Sequence, residues 1–266
     1  MIDLGKKNIG GILIDAIDYD AAVARTLQAA RDRARFAVSA LAVHGTMTGA
    51  ADPEHRFRLN SLNLLVPDGQ PVRWALNLIH KTGLADRVYG PNLTLRLLGA
   101  AEENDLPVYF YGTTENTLGS LQARLQRLYP GLRVAGMEPS RFRKLTPDER
   151  SDLVERVRGS GARMLFVGLG CPRQEVFAFE LRPLVSMPII AVGAAFPFIA
   201  GTLSQAPPWM QRRGLEWLFR LMQEPRRLWR RYLVTNAQFV FTIARQSLGK
   251  EFSPVGRRPN SVLLFG

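Results

Sequence analysis

Three stretches of the chain carry side chains whose types and spacing suit chemistry on phosphate- or hydroxyl-bearing molecules. In VPDG (66–69), Asp68 stands between an apolar run and a helical pattern. A carboxylate there either caps the following helix or, at the carboxyl edge of a sheet, takes the proton of an attacking hydroxyl. In FVGLGCPRQE (166–175), Gly168 and Gly170 make a tight turn, and Arg173, Gln174 and Glu175 open the next helix. Backbone N–H groups and polar side chains at such a helix start can hold phosphate or sugar oxygens. Arg173 stands where a dinucleotide fingerprint has its third glycine, and no Walker lysine follows. The glycines alone therefore favour a plain strand-to-helix turn, and the polar residues after them are what raise the ligand reading. In GLEWLFRLMQEPRRLWRRY (214–232), Arg220, Arg226, Arg227, Arg230 and Arg231 crowd beside Trp217, Trp229 and Tyr232. Arginine forks engage phosphate oxygens bidentately, whereas lysine suffices for diffuse solvation. If the helix continues through Pro225, Arg220, Arg227 and Arg230 share one stripe.

Other residues are less specific. Arg87, in ADRVYGPNL, is a surface cation or a phosphate ligand. His44, in VHGTMTG, belongs to a set of three histidines without HxH or HExxH spacing, which argues for a polar contact near a site and against a metal ligand. Cys171 is the only cysteine, so no intramolecular disulfide or cysteine-based metal site forms, and it reads as a packing residue. No motif calls for a cofactor.

The elements that position these groups alternate. Strands are expected at Phe36–Val43, Leu62–Val66, Val108–Tyr111, Leu132–Met137, Met164–Val167 and Ile189–Val192. Helices are expected between them at Asp20–Arg33, Pro71–His80, Leu93–Asn104, Glu115–Tyr129, Pro147–Arg158 and Arg173–Leu181. This pattern predicts an α/β fold, a Rossmann-like and mostly parallel sheet flanked by helices, with ligands beyond the carboxyl ends of its strands. From about residue 203 strand character stops, which divides the chain into an α/β core (1–202), a basic helical C-terminal appendage (203–250) and a flexible tail (251–266). Pro225 suits the first turn of a second appendage helix.

The charge follows that division. The chain carries +12, and the segment from Ser204 to Arg258, with eleven cations against three acids, holds +8 of it. The anionic partner is therefore expected at the C-terminal end. No RRM, KH or helix-turn-helix signature accompanies the charge, so no nucleic acid is expected. A basic amphipathic helix bordered by Trp and Tyr suits an anionic membrane surface better. The N-terminus lacks a signal-peptide pattern, and the longest apolar run, residues 187–201, is too short and too broken by Pro and Gly to cross a bilayer. The expected place is the cytoplasm, peripheral on the inner face of the cytoplasmic membrane.

In order and spacing, PDG, RVYGPNL, FVGLGCPRQE, GAAFPFIAG and APPWMQRRGLEWLFRLMQEPRRLWRRY resemble the WecG/TagA/CpsF glycosyltransferases, family 26, over about residues 10–233. The resemblance implies an inverting, metal-independent transfer from a UDP-sugar to a polyprenyl-diphosphate-linked saccharide, in bacterial cell-surface or exopolysaccharide synthesis. It implies Asp68 as general base, and Arg87 and Gln174 as substrate ligands within a donor site that includes Gly168, Gly170, Arg173 and Glu175. It gives Arg220, Arg227 and Arg230 to an appendage that closes over the site and binds diphosphate, and it admits a homo-oligomer. One motif departs: the family's Thr-x-Asn falls by spacing near Ala40–Ala42, where this chain reads SALAVHG, leaving Ser39 or His44 to stand in. Two rival readings are a nicotinamide-dependent oxidoreductase, which the incomplete glycine fingerprint disfavours, and a non-catalytic basic binding protein, which leaves PDG and the Gly-rich turn idle.

Overall fold

Gly10 and Gly11 turn the first two strands back on one another. In the computed structural model, β1 (Asp3–Ile9) and β2 (Ile12–Ile17) pair antiparallel. The two glycines between them sit at φ +57° and +93°, the left-handed geometry that a two-residue hairpin turn requires. The structure describes residues 1–266, except the side chains of Arg227, Arg230 and Arg231. Neither hairpin strand is among those expected, although the Gly-Gly pair between two apolar runs is a hairpin signal.

The core then alternates as α1 (Tyr19–Arg31), β3 (Phe36–Leu41), α2 (Val43–Ala51), α3 (Pro53–Asn60), β4 (Leu64–Pro67), α4 (Gln70–His80) and α5 (Gly90–Glu103). It continues with β5 (Val108–Gly112), α6 (Glu115–Leu128), β6 (Val134–Glu138), α7 (Pro147–Gly159), β7 (Met164–Gly168), α8 (Arg173–Leu181), β8 (Pro188–Ala191) and α9 (Ala195–Ala200). All six expected strands and all six expected core helices form. Three helices do not follow from the sequence pattern. The run expected as strand 36–43 ends at Leu41 because Val43 already begins α2, whose Gly and Thr residues hide its helicity. Asp52 caps α3 through the N–H groups of Glu54 and His55, with Pro53 in the first turn. The third, α9, is a single short turn-rich segment.

The sheet is parallel throughout, in the order β4-β3-β8-β7-β5-β6. Both faces are covered. Val38, Phe110, Phe166 and Ile190 pack against α1, α5, α6 and α9. Their alternates Leu41, Tyr109, Leu165 and Ile189 face α2, α4, α7 and α8. Burial on both faces explains why these strands read as unbroken apolar runs. Asp15, fully buried, accepts from the Leu65 N–H at 2.8 Å and from Lys6 Nζ at 2.9 Å, which fastens the hairpin beside β4.

The appendage consists of α10 (Pro208–Arg212), α11 (Glu216–Gln223) and α12 (Pro225–Ser247). Glu224 leaves the helical region (φ −133°, ψ 60°), so Arg220 stands on α11 and Arg227 on α12, and the single continuous stripe does not form. The far half of α12 returns to the core. Phe239 and Ile243 join the apolar layer of α2 and α4. Gln246 closes the contact, accepting from Gly10 N and donating to Asn8 O.

Residues 251–266, expected as a flexible tail, run along the core. The carbonyls of Phe252 and Pro254 accept from Asn8 and Asn60, and Arg257 N donates to Pro53 O. The N–H groups of Leu263 and Leu264 donate to the buried carboxylate of Glu180 at 2.7 and 3.2 Å. Deleting residues 259–266 leaves that carboxylate without these donors. The expected cost is about 1–3 kcal/mol of stability, read by denaturant unfolding. An unchanged midpoint would contradict this account of the tail.

Candidate active site

A cavity of about 1260 Å³ opens beyond the carboxyl ends of β3, β4, β7 and β8 and is covered on its far side by α11 and α12. Its floor is where a parallel sheet of this kind binds ligands. Asp68 follows β4 directly. It does not cap α4, whose N-cap is Gly69 without a side-chain hydrogen bond. Its Oδ1 instead accepts from the N–H of Gly90, the first residue of α5, at 2.6 Å. The positive end of that helix favours a carboxylate there. Burial acts more strongly, and it raises the Asp68 pKa above the usual carboxylate range. Arg87, the Gly90 hydrogen bond and Arg220 oppose the shift, and Glu216 adds to it.

Arg87 is not a surface cation: it is 5% exposed. Its guanidinium pairs with Glu216 of α11 and lies over the Tyr89 ring, 4.3 Å from its centroid. Arg220, one helical turn beyond Glu216, lines the same cavity, its guanidinium 5.9 Å from the Phe198 ring centroid. The crevice thus sets one half-buried carboxylate among two arginines and the glutamate that holds one of them.

The Gly-rich turn after β7 forms the opposite wall. Gly170 adopts φ +76°, which lets the chain turn from β7 toward α8. Gln174 closes the turn on itself: Oε1 accepts from Gly170 N at 3.1 Å, and Nε2 donates to Glu175 Oε1 at 2.9 Å. Glu175 also accepts from Ser39 Oγ at 3.0 Å, and burial raises its pKa. Gly170, Gln174, Glu175 and His44 line the cavity. Of the two residues left to stand in for Thr-x-Asn, His44 reaches the cavity wall, whereas Ser39 is fully buried with its hydroxyl on Glu175.

Two expected ligands stand apart from this group. Arg173 is exposed, with its guanidinium 5.8 Å from the Phe265 ring centroid, and is not part of the cavity wall. Gly168 packs against Phe196 and Gly112, where a Cβ would come within 2.6 Å of the Phe196 ring. Its role is therefore close packing behind the turn. The side chains of Arg227 and Arg230 lie outside the described residues.

Two contributors escape the sequence pattern. Glu216 is one of only three acids in the basic segment, and that isolation is the signal for it. Gln70 donates to Asp86 Oδ1 at 3.1 Å, while its buried Oε1 has no hydrogen-bond partner among the described residues. As a cavity-lining residue it offers an acceptor to a ligand N–H or O–H.

No described helix is long and apolar enough to cross a membrane. The model of the WecG/TagA/CpsF glycosyl transferase family matches residues 7–253. The chain is similar to N-acetylglucosaminyldiphosphoundecaprenol N-acetyl-beta-D-mannosaminyltransferase of Bacillus spizizenii, with 32% identity over 68% of each chain. It is also similar to the Bacillus subtilis protein of the same name, with 28% identity over 73% of each. With Asp68, the RVYGPNL segment, the Gly-rich turn and the appendage all meeting at one crevice, and the family match spanning nearly the whole sequence, the chain belongs to the WecG/TagA/CpsF family of glycosyltransferases.

Proposed function

We propose that the enzyme transfers a sugar from a UDP-sugar to a saccharide carried on a polyprenyl diphosphate. The observation that carries this reading is the meeting of Asp68, Arg87 and Arg220 in one cavity at the sheet's carboxyl edge. The names of both relatives supply the acceptor class, an N-acetylglucosaminyl diphosphoundecaprenol, and make UDP-N-acetylmannosamine the first donor to test.

In this reading Asp68 accepts the proton of the acceptor hydroxyl as its oxygen attacks the anomeric carbon. The bond from that carbon to the UDP oxygen breaks as the new one forms, and a single displacement inverts the configuration. The departing diphosphate gains negative charge, and arginines offset it; the transfer needs no metal in this account. Arg87 is paired with Glu216, so a phosphate that reaches this guanidinium competes with Glu216 for it. The turn at 168–175 and Gln174 shape the donor pocket, and Arg220, Arg227 and Arg230 serve the diphosphates.

The appendage supports a peripheral membrane position. Trp209, Met222, Trp229 and Leu233 are each at least half exposed, beside the exposed Arg212, Arg213 and Arg226. Aromatic and apolar side chains set among arginines suit the headgroup region of an anionic bilayer.

Asp68→Asn separates catalysis from folding. Turnover is expected to fall by about 10²–10⁴-fold with UDP binding retained. The thermal midpoint at neutral pH is expected to rise. The sign follows from the raised pKa: the folded state holds the Asp68 proton more tightly than the unfolded chain, so stability declines as pH rises through the folded pKa, and asparagine removes that decline. The acid limb of wild-type kcat/KM is expected above the usual carboxylate range, since the base acts only when ionised. Full activity in the variant overturns the base assignment, and a lowered midpoint overturns the electrostatic one.

A further inference from the structure

The cavity extends well past the reacting groups, and its character changes along its length. At one end stand Asp68, Arg87, Glu216 and Arg220. From there it follows α12 as far as Ser247, touching Leu228, Tyr232, Thr235, Asn236, Phe239, Val240, Ile243 and Ala244 at helical spacing. Leu228 to Ser247 spans about 28 Å at the helical rise per residue. Among the described residues, no charged side chain of α12 lines this stretch. The facing wall is α4, where Trp74 and Leu78, one turn apart, are 44% and 64% exposed. Val240, on α12 and lining the same cavity, is 67% exposed. A mostly apolar, uncharged wall this long, continuous with a crevice that holds Arg87 and Arg220, matches an amphiphile with a charged diphosphate head and a long hydrocarbon tail.

We propose that the groove between α4 and α12 seats the isoprenoid chain of the acceptor, with Trp74, Leu78 and Val240 as its outer walls. The proposal rests on the glycosyltransferase reading above for the identity of the head group. Burial of hydrocarbon against these walls makes chain length a determinant of affinity, independent of the sugar transferred. The groove also sets direction, because the diphosphate lies at the Arg87 end and the chain leads toward Ser247.

The test is binding, measured without vesicles or donor. Fluorescently tagged dimethylallyl, farnesyl and longer polyprenyl diphosphates are titrated into the full chain and into Leu78→Gln with Val240→Asn, followed by anisotropy. Both positions are exposed, so the variant is expected to fold, which its thermal midpoint checks. In the wild type, affinity is expected to rise at least about tenfold from the shortest chain to the longest. The variant loses most of that gain while binding the shortest diphosphate and UDP as before. Equal affinity for all chain lengths, or the same gain in the variant, overturns the proposal. A concentration-dependent dimer that the variant abolishes, with no chain-length effect, assigns the groove to a second copy of the chain and also overturns it. If the chain-length effect holds but no UDP-sugar is ever turned over, the groove stands and the catalytic reading falls.

Discussion

The buried pair between Arg87 and Glu216 holds the two parts of the molecule in register. Arg87 belongs to the segment that leads from α4 to α5, and Glu216 to the first turn of α11. Both side chains are largely withdrawn from water, so either one alone carries a large desolvation penalty that the other offsets. The pair therefore fixes where α11 sits, and α11 brings Arg220 into the crevice. The other end of the appendage is fastened differently, by apolar packing of Phe239 and Ile243 and by Gln246 on the hairpin turn. One polar clamp and one apolar anchor leave the length of α12 between them as a wall.

The same pair sets the field around Asp68. A carboxylate beside Arg87 alone is held strongly ionised, which makes a weak base. Burial outweighs that attraction and leaves Asp68 above the usual carboxylate range, and Glu216 adds a smaller push in the same direction. A base of raised pKa accepts a hydroxyl proton with less penalty. Its hydrogen bond to Gly90 holds one oxygen in place, so the crevice combines a fixed direction with a tuned affinity for the proton.

Much of this was legible in the sequence, for physical reasons that differ by element. The six core strands announce themselves because both faces of a parallel sheet are covered, which makes each strand an apolar run. The turn at 168–175 and the start of α12 at Pro225 are local features and read directly. The partner of Asp68 was not legible, because Gly90 lies 22 residues away and only the packing of α5 brings its N–H to the carboxylate. Burial of Arg87 depends likewise on α11, more than a hundred residues downstream. The arginine stripe across Pro225 assumed a continuous helix, and the backbone of Glu224 breaks it. The contacts of the tail were not legible either: its prolines and paired arginines name no partner, and only the fold brings its backbone groups to Glu180, Asn8 and Asn60.

The central claim is sugar transfer to a lipid-linked saccharide, and product analysis tests it most directly. Purified enzyme is given a panel of UDP-sugars with N-acetylglucosaminyl diphosphoundecaprenol in anionic vesicles, and the lipid product is identified by mass and anomeric configuration. The account predicts acceptor-dependent release of UDP with one donor and a lipid heavier by one sugar residue of inverted linkage. A retained configuration would contradict the single displacement at Asp68. The absence of any glycosylated lipid across the panel, with UDP binding intact, would contradict the claim itself.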